Sequence, residues 1–381
     1  MTTTRPHPDP DGLHEFSVVF TDRSLNHMSA RFQRVMRDLS DMLRHSYAAE
    51  SAVIVPGGGT MGMEAVARQF ATGKRCLVVR NGWFSYRWSQ ILEAGGIAAE
   101  TTVLQAEPDS GAADAAWSPP AIEGVVDAIR AHQPEMVFAP HVETSAGLLL
   151  PDDYIRTLAA ATHEAGGLFV LDCVASGALW IDMADMGVDI LISAPQKTWS
   201  ATPCAALVML GSEATKRIEH TRSSSFACDL KQWLNIMRAY EGGGHAYHAT
   251  LPTDGLVHLH ETMRETRDVG LEKARAALLK LGSGVRATLR ERGFKSVAAL
   301  GYEAPGVVVF HTTDPDIHSG KRFAEQGIQI AKGVPLMCGE PERFLTFRIG
   351  LFGLDKLYDV DATIERFSAG LDRAVVSAEA S

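Results

Sequence analysis

Positive charge is in deficit along this chain, and none of it is gathered into a run. Lys and Arg number 36 against 46 Asp and Glu, a net charge of −10. That balance argues against a nucleic acid or an anionic membrane surface as the main partner, but not against a small anionic ligand, which needs only a local site. No apolar run reaches transmembrane length, and the opening MTTTRPHPDPDGLHEF has no apolar core of a signal peptide. Cysteine is scarce: five residues, at 76, 173, 204, 228 and 338, odd in number and without a CxxC spacing. Neither a disulfide framework nor a zinc site is expected from them, and reduced thiols in a cytoplasmic protein are. Internal repeats are absent, and so is low complexity beyond an Ala/Ser tail.

What remains is a globular chain. Hydrophobic residues make up 46% and charged residues 22% of 381 positions, enough for a large core and, at this length, for two domains. Seven short apolar runs punctuate residues 50 to 210: SAVIVP (51–56), RCLVV (75–79), ETTVLQ (100–105), EMVFAP (135–140), GLFVLDCV (167–174), VDILIS (188–193) and AALVML (205–210). Several are continuously apolar, which suits strands covered on both faces. Helix-length segments lie between them at 60–73, 119–133 and 151–167, the last opening on Pro-Asp-Asp and closing on Gly-Gly. The alternation predicts an α/β fold, a mostly parallel seven-stranded sheet between two helical layers. The last two runs stand too close together for a helical crossover, so one antiparallel strand is expected there. After residue 255 a long helical stretch (255–293), shorter strands (306–313 and 344–350) and a closing helix (359–378) predict a smaller α+β domain. The division expected is a loose arm over 1–15, a large domain over 16–268 and a small C-terminal domain over 269–381.

Three segments carry polar residues at the ends of predicted strands. VIVPGGGTMGMEAVARQ (53–69) is a strand, a glycine turn and a helix start, a place where free N–H groups favour a phosphate; a plain tight turn is the competing reading. It matches neither a Walker A loop nor a GxGxxG fingerprint. FVLDCVASG (169–177) puts Asp172 at a strand's carboxyl end, where open α/β sheets bind ligands; a hydrogen-bonded loop anchor is the alternative. HVETSAG (141–147) is a third polar cluster, in which Glu143 and Thr144 have no evident role. Lys197, in SAPQKT, follows a fourth strand. A lysine in such a place needs a partner or a task. Together with an upstream aspartate and a glycine turn it suits pyridoxal phosphate. The lysine condenses with the aldehyde, the carboxylate keeps the pyridine nitrogen protonated, backbone N–H groups hold the phosphate, and an aromatic face holds the ring plane.

Read in order, GGGTMGMEA, VVRNGWFSYRW, HVETSAG, LDCVAS, SAPQKT, YHATLPTD and FRIGL make the chain, over about residues 25–370, resemble the class V, fold-type I pyridoxal-phosphate enzymes, most closely the alanine–glyoxylate and serine–pyruvate aminotransferases. The resemblance implies that Lys197 forms the Schiff base and shuttles a proton, and that Asp172 pairs with the pyridine nitrogen. It implies that Gly58, Gly59, Thr60 and Gln196 hold the phosphate and that Ser145 lies beside the ring. An aromatic residue shortly after Asn-Gly stacks on the ring; the alignment gives Phe84, with Trp83 one residue away. Tyr247 and Thr250 are implied to reach the phosphate of a neighbouring subunit in a homodimer, and Arg348 to grip a substrate carboxylate. Arg348 in an ion pair, and Tyr247 and Thr250 as loop contacts, are the competing readings. His141 and His248 read as structural histidines, because lysine already serves as the base.

Three features depart from the family pattern. The Gly-Pro stretch expected before NHMSARF is missing, phenylalanine stands where tryptophan is common, and Cys173 follows the aspartate. All three touch the pocket rim. The expected activity is transfer of an amino group from alanine, serine or a similar small amino acid to glyoxylate or pyruvate. A 2-aminoethylphosphonate–pyruvate aminotransferase is one alternative, although no basic pocket residue besides Arg348 is evident for a phosphonate. A lyase or desulfurase on the same fold, with Cys338 as its candidate thiol, is another.

Overall fold

The computed structural model describes residues 7–379. Residues 1–6 of the expected arm lie outside the described residues; residues 7–15 form no helix or strand. The elements that position the site are α1 (Ala30–Tyr47), β1 (Ser51–Pro56), α2 (Gly59–Phe70), β2 (Arg75–Arg80), α3 (Trp83–Ala94), β3 (Glu100–Gln105), α4 (Ile122–His132), β4 (Met136–Pro140), α5 (Asp152–Glu164), β5 (Leu168–Asp172), β6 (Ile190–Ser193), the short α6 (Pro195–Thr198) and β7 (Ala205–Leu210). After them come α7 (Leu230–Glu241), α8 (Thr253–Val269), α9 (Leu271–Glu291), β8 (Val307–His311), β9 (Ala331–Lys332), β10 (Thr346–Gly350) and α10 (Val360–Glu379). Among the described residues no helix is long and apolar enough to cross a membrane.

The seven predicted runs form one seven-stranded sheet in the order β1-β7-β6-β5-β4-β2-β3. Its inner strands β4, β5, β6 and β7 are buried at every position, which requires cover on both faces and explains why their sequences do not alternate. β7 runs antiparallel to both neighbours, Ile192 facing Val208 on one side and Val53 facing Val208 on the other. The short β6–β7 connection leaves no room for a crossover, as the spacing predicts. All other neighbours in the sheet are parallel.

The helical stretch read over 255–293 is two helices. Gly270 breaks it with φ +96, a conformation that favours glycine, and Leu271 starts α9. The three-stranded sheet β8-β10-β9 lies between two apolar clusters. Val308 and Phe310 enter one with Leu278, Leu281 and Phe347; Val307 and Val309 enter the other with Trp117, Leu148 and Phe344. The period-two alternation of β8 thus joins the C-terminal segment to the loops that follow β3 and β4.

Candidate active site

Five parallel strands end at the same edge of the sheet, and each delivers a polar group there. The Gly57–Gly59 turn follows β1, Asn81-Gly82 follows β2, His141–Ser145 follows β4, Asp172 ends β5, and Lys197 sits on α6 after β6. They surround an open cleft of about 100 Å³ lined by Gly59, Thr60, Met63, Phe84, Arg87, Val142, Thr144, Asp172, Val174, Ala175, Gln196 and Lys197.

Asp172 is buried, and its Oδ1 accepts a hydrogen bond from the Val174 N–H at 2.9 Å. Burial pushes its carboxyl up to about 6, against the pull of that N–H and of nearby Lys197. Burial also holds the Lys197 amine below the ordinary lysine range; Asp172 draws it back up, while Arg87 and Arg348 push it further down. The Lys197 Nζ lies 5.9 Å from the ring centre of Phe84 and 5.9 Å from that of Phe352. Arg348, on β10, donates from Nε to the Lys332 carbonyl at 2.9 Å, and its guanidinium stands 5.5 Å from the Phe84 ring centre. Burial lowers the Arg348 pKa, and Glu143 partly offsets this. Among the described residues neither Arg87 nor Arg348 has a carboxylate in ion-pair contact.

The first turn of α3 is capped from outside, by the loop after β4. Glu143 is fully buried and accepts five hydrogen bonds: from the N–H groups of Phe84, Ser85 and Ser145 at 3.2, 2.9 and 3.0 Å, and from the Ser85 and Ser145 hydroxyls at 2.7 Å each. The Ser145 Oγ accepts in turn from the Trp83 N–H at 2.9 Å. A carboxylate at a helix N-terminus satisfies the orphan amides and suits the dipole. Here it also fixes the residue next to the cleft, Phe84. Gly82 is part of the same fit, since a Cβ there would lie 2.0 Å from the Ser145 Oγ. Gly59 is constrained likewise, by Val174 at 2.6 Å.

The residues expected at the site are therefore distributed as follows. Gly59, Thr60, Phe84, Asp172, Gln196 and Lys197 line the cleft, and Gly58 is the N-cap of α2 beside it. Phe84 is the ring turned toward Lys197, whereas Trp83 packs on Tyr86 with ring centres 6.1 Å apart. Ser145 is fully buried behind the cleft wall, tied to Glu143 and α3; the hydroxyl that lines the cleft is that of Thr144. Tyr247 and Thr250 are exposed, hydrogen-bonded to each other at 3.3 Å, and are not brought into this cleft. His141 is buried, 2.7 Å from the Ser176 hydroxyl, and burial pushes its pKa down to about 3, which leaves a neutral ring. His248 contacts the Phe226 carbonyl and the Trp233 ring, away from the cleft.

Sequence reasoning passed over Thr144, Glu143 and Arg87. Thr144 and Gln196 each have a buried side-chain oxygen without a partner among the described residues, and both line the cleft. Unsatisfied buried polar atoms point to a ligand that completes them. Arg87 had one available signal, its place three residues after Phe84, a spacing that sets both on one face if the segment is helical.

The Aminotransferase class-V family model matches residues 12–345. Among curated proteins the chain is 31% identical over 333 residues to 2-aminoethylphosphonate–pyruvate transaminase 2 of Paraburkholderia xenovorans, covering 85% of this chain and 84% of that one. It is 28% identical to the alanine–glyoxylate aminotransferase of Oryctolagus cuniculus over 66% of this chain and 62% of that protein. Among solved structures, ureidoglycine–glyoxylate aminotransferase of Bacillus subtilis superposes with a TM-score of 0.79 at 21% identity, covering 93% of this chain and 87% of that one. The chain belongs to the class-V aminotransferase family and has its fold-type I architecture.

Proposed function

We propose that this class-V aminotransferase holds pyridoxal 5′-phosphate on Lys197 and moves an amino group from a small amino acid to a 2-oxo acid such as glyoxylate or pyruvate. One observation carries the reading. A lysine whose amine is held below its ordinary range shares a cleft with a buried carboxylate and the Arg87 guanidinium, and the Arg348 guanidinium stands beside it at the Phe84 ring; among the described residues neither arginine has a carboxylate partner. The residues fit the cofactor. The N-terminus of α2, with Thr60 and the side-chain amide of Gln196, suits the phosphate end. Thr144 offers a hydroxyl, Asp172 suits a protonated ring nitrogen, and Phe84 suits the ring plane.

Pyridoxal phosphate, when bound, supplies an aldehyde that takes up the amino group and a ring that accepts electrons left when a bond to the substrate α-carbon breaks. The chain's residues supply the rest. Lys197 Nζ takes the proton from the donor α-carbon in the first half of the exchange and gives one to the acceptor α-carbon in the second. Burial lowers its pKa, the direction that favours the neutral amine this work needs. Asp172 holds the proton on the ring nitrogen. Arg348, oriented by the Lys332 carbonyl through Nε, keeps its two Nη groups free for a substrate carboxylate. Glu143 and Ser145 hold Phe84 still by fixing the first turn of α3.

Tyr247 and Thr250, exposed on this chain, are proposed to serve the cleft of a second copy in a homodimer. Co-expression of a Lys197→Ala chain with a Tyr247→Phe/Thr250→Ala chain then restores about a quarter of wild-type activity, because half of the dimers are hybrids with one intact site. Hybrids no more active than the two parents would remove the shared site.

A 2-aminoethylphosphonate donor is the second reading. The named transaminase of Paraburkholderia xenovorans favours it, and Arg87 is a basic cleft residue besides Arg348. A screen of alanine, serine, aspartate and 2-aminoethylphosphonate against glyoxylate and pyruvate separates the two, and no transfer to either acceptor from any donor would defeat both. The desulfurase reading has lost its thiol. Cys338 is buried, its Sγ lies 3.5 Å from the Arg80 carbonyl, and burial pushes its pKa up to about 12. Cys338→Ser therefore keeps turnover within about threefold of wild type, an effect of less than 1 kcal/mol. A loss above about a hundredfold would revive the thiol mechanism.

A further inference from the structure

Two guanidiniums at the cleft lack carboxylate partners among the described residues, and the substrate carboxylate accounts for only Arg348. Arg87 is left over. It lies on α3, three residues after Phe84, with its guanidinium 4.8 Å from the Phe84 ring centre. Its Nη1 donates to the Thr60 hydroxyl at 3.0 Å, so it ties the first turn of α3 to the first turn of α2. The Gly59 and Thr60 amides there precede the helix's own hydrogen bonding. Gln196 lines the same cleft. The Arg87 charge is felt at both Asp172 and Lys197, as expected of a group directed inward.

We propose that Arg87 is the cationic partner of the cofactor phosphate. With Thr60 and the opening amides of α2 it makes up this chain's own share of the oxyanion cradle. The inference rests on the pyridoxal-phosphate reading above. A phosphonate on the donor has the same tetrahedral oxyanion chemistry. The anchoring of Arg87 to Thr60, at the end of α2, favours the cofactor as the source, since Arg348 reaches the cleft from a different element, β10. A guanidinium there adds a charge-assisted, directional contact to a site that otherwise offers neutral donors.

The test titrates cofactor-free protein with pyridoxal phosphate and with pyridoxal, which lacks the phosphate, following tryptophan fluorescence. Arg87→Gln weakens pyridoxal phosphate binding by about 10- to 100-fold and leaves pyridoxal binding unchanged. Arg87→Lys, which keeps the charge but not the fork, recovers part of the loss and serves as the check that the site still folds. Equal weakening of both ligands would overturn the proposal and make Arg87 a packing group for Phe84. Unchanged pyridoxal phosphate affinity with a raised KM for 2-aminoethylphosphonate alone would overturn it in favour of the donor phosphonate. Failure of the wild-type protein to bind pyridoxal phosphate would instead remove the reading on which the inference rests.

Discussion

Lys197→Ala lowers turnover by roughly 10³- to 10⁴-fold, the full contribution of a positioned proton-transfer group, and abolishes covalent retention of the cofactor. Two separate jobs are proposed for the same nitrogen. As the covalent anchor, Nζ is replaceable by a free amine in solution. As the base at the substrate α-carbon it is not, because among the described residues no other amine or imidazole lines the cleft. His141 lies behind the wall and is tied to Ser176, and Asp172 is the residue proposed to pair with the ring nitrogen. An added alkylamine therefore restores only part of the rate. The check is borohydride reduction followed by peptide mass analysis. Wild-type protein carries the cofactor mass on the peptide containing Lys197, and the variant carries it nowhere. Substantial turnover in the variant would sink the mechanism.

The second large effect runs in opposite directions on activity and stability. Asp172→Asn abolishes transamination by roughly 10²-fold or more, since a neutral amide cannot hold the ring nitrogen protonated. The same change stabilises the cofactor-free protein near neutral pH. The folded carboxyl titrates at about 6, above its unfolded value, so folding favours the protonated form. The associated stability is fully present below the unfolded pKa, near 4, and is lost as pH rises through about 6. Above that pH the wild-type protein keeps a buried charge without an ion-pair partner. Asparagine removes the charge and keeps the acceptor for the Val174 N–H. The expected gain is on the order of 1–3 kcal/mol at pH 7.5 and close to none at pH 4. Thermal melts of both cofactor-free proteins across that range check it. A variant less stable than wild type at pH 7.5 would show that Asp172 is a structural anchor, the competing reading of the sequence. A site that weakens the empty fold and strengthens the filled one is the usual pattern at functional positions.

Most of the fold was legible because burial on both faces leaves a plain mark. Strands such as Leu168–Asp172 and Ala205–Leu210 are short continuous apolar runs with no polar side to display. The reversal at β7 was legible from the shortness of the connection around Lys197. The break at Gly270 was not read as one, because the residues on either side, DV and LEK, keep a helical pattern through it. At the site, residues with intrinsic chemistry announced themselves: Lys197, Asp172 and the glycine turn stand out by type and place. Glu143 did not. Its role depends on amides of α3, about sixty residues earlier in the chain, that reach it only after the sheet has formed. Thr144 and Ser145 are adjacent hydroxyls, and only the turn of the loop decides that the first lines the cleft while the second caps a helix. Arg87 was not singled out, and only its bond to Thr60 places it between the starts of two helices.

The central claim is an exchange in two separable halves, and it is tested most directly with one substrate at a time. Purified protein loaded with pyridoxal phosphate is mixed with an amino donor in the absence of any acceptor, and the oxo acid released is measured against active sites. The account predicts one equivalent of oxo acid per site and a matching loss of the cofactor's visible colour, which returns when glyoxylate or pyruvate is added. Continued release beyond one equivalent, or release of ammonia in place of a stored amino group, would contradict it.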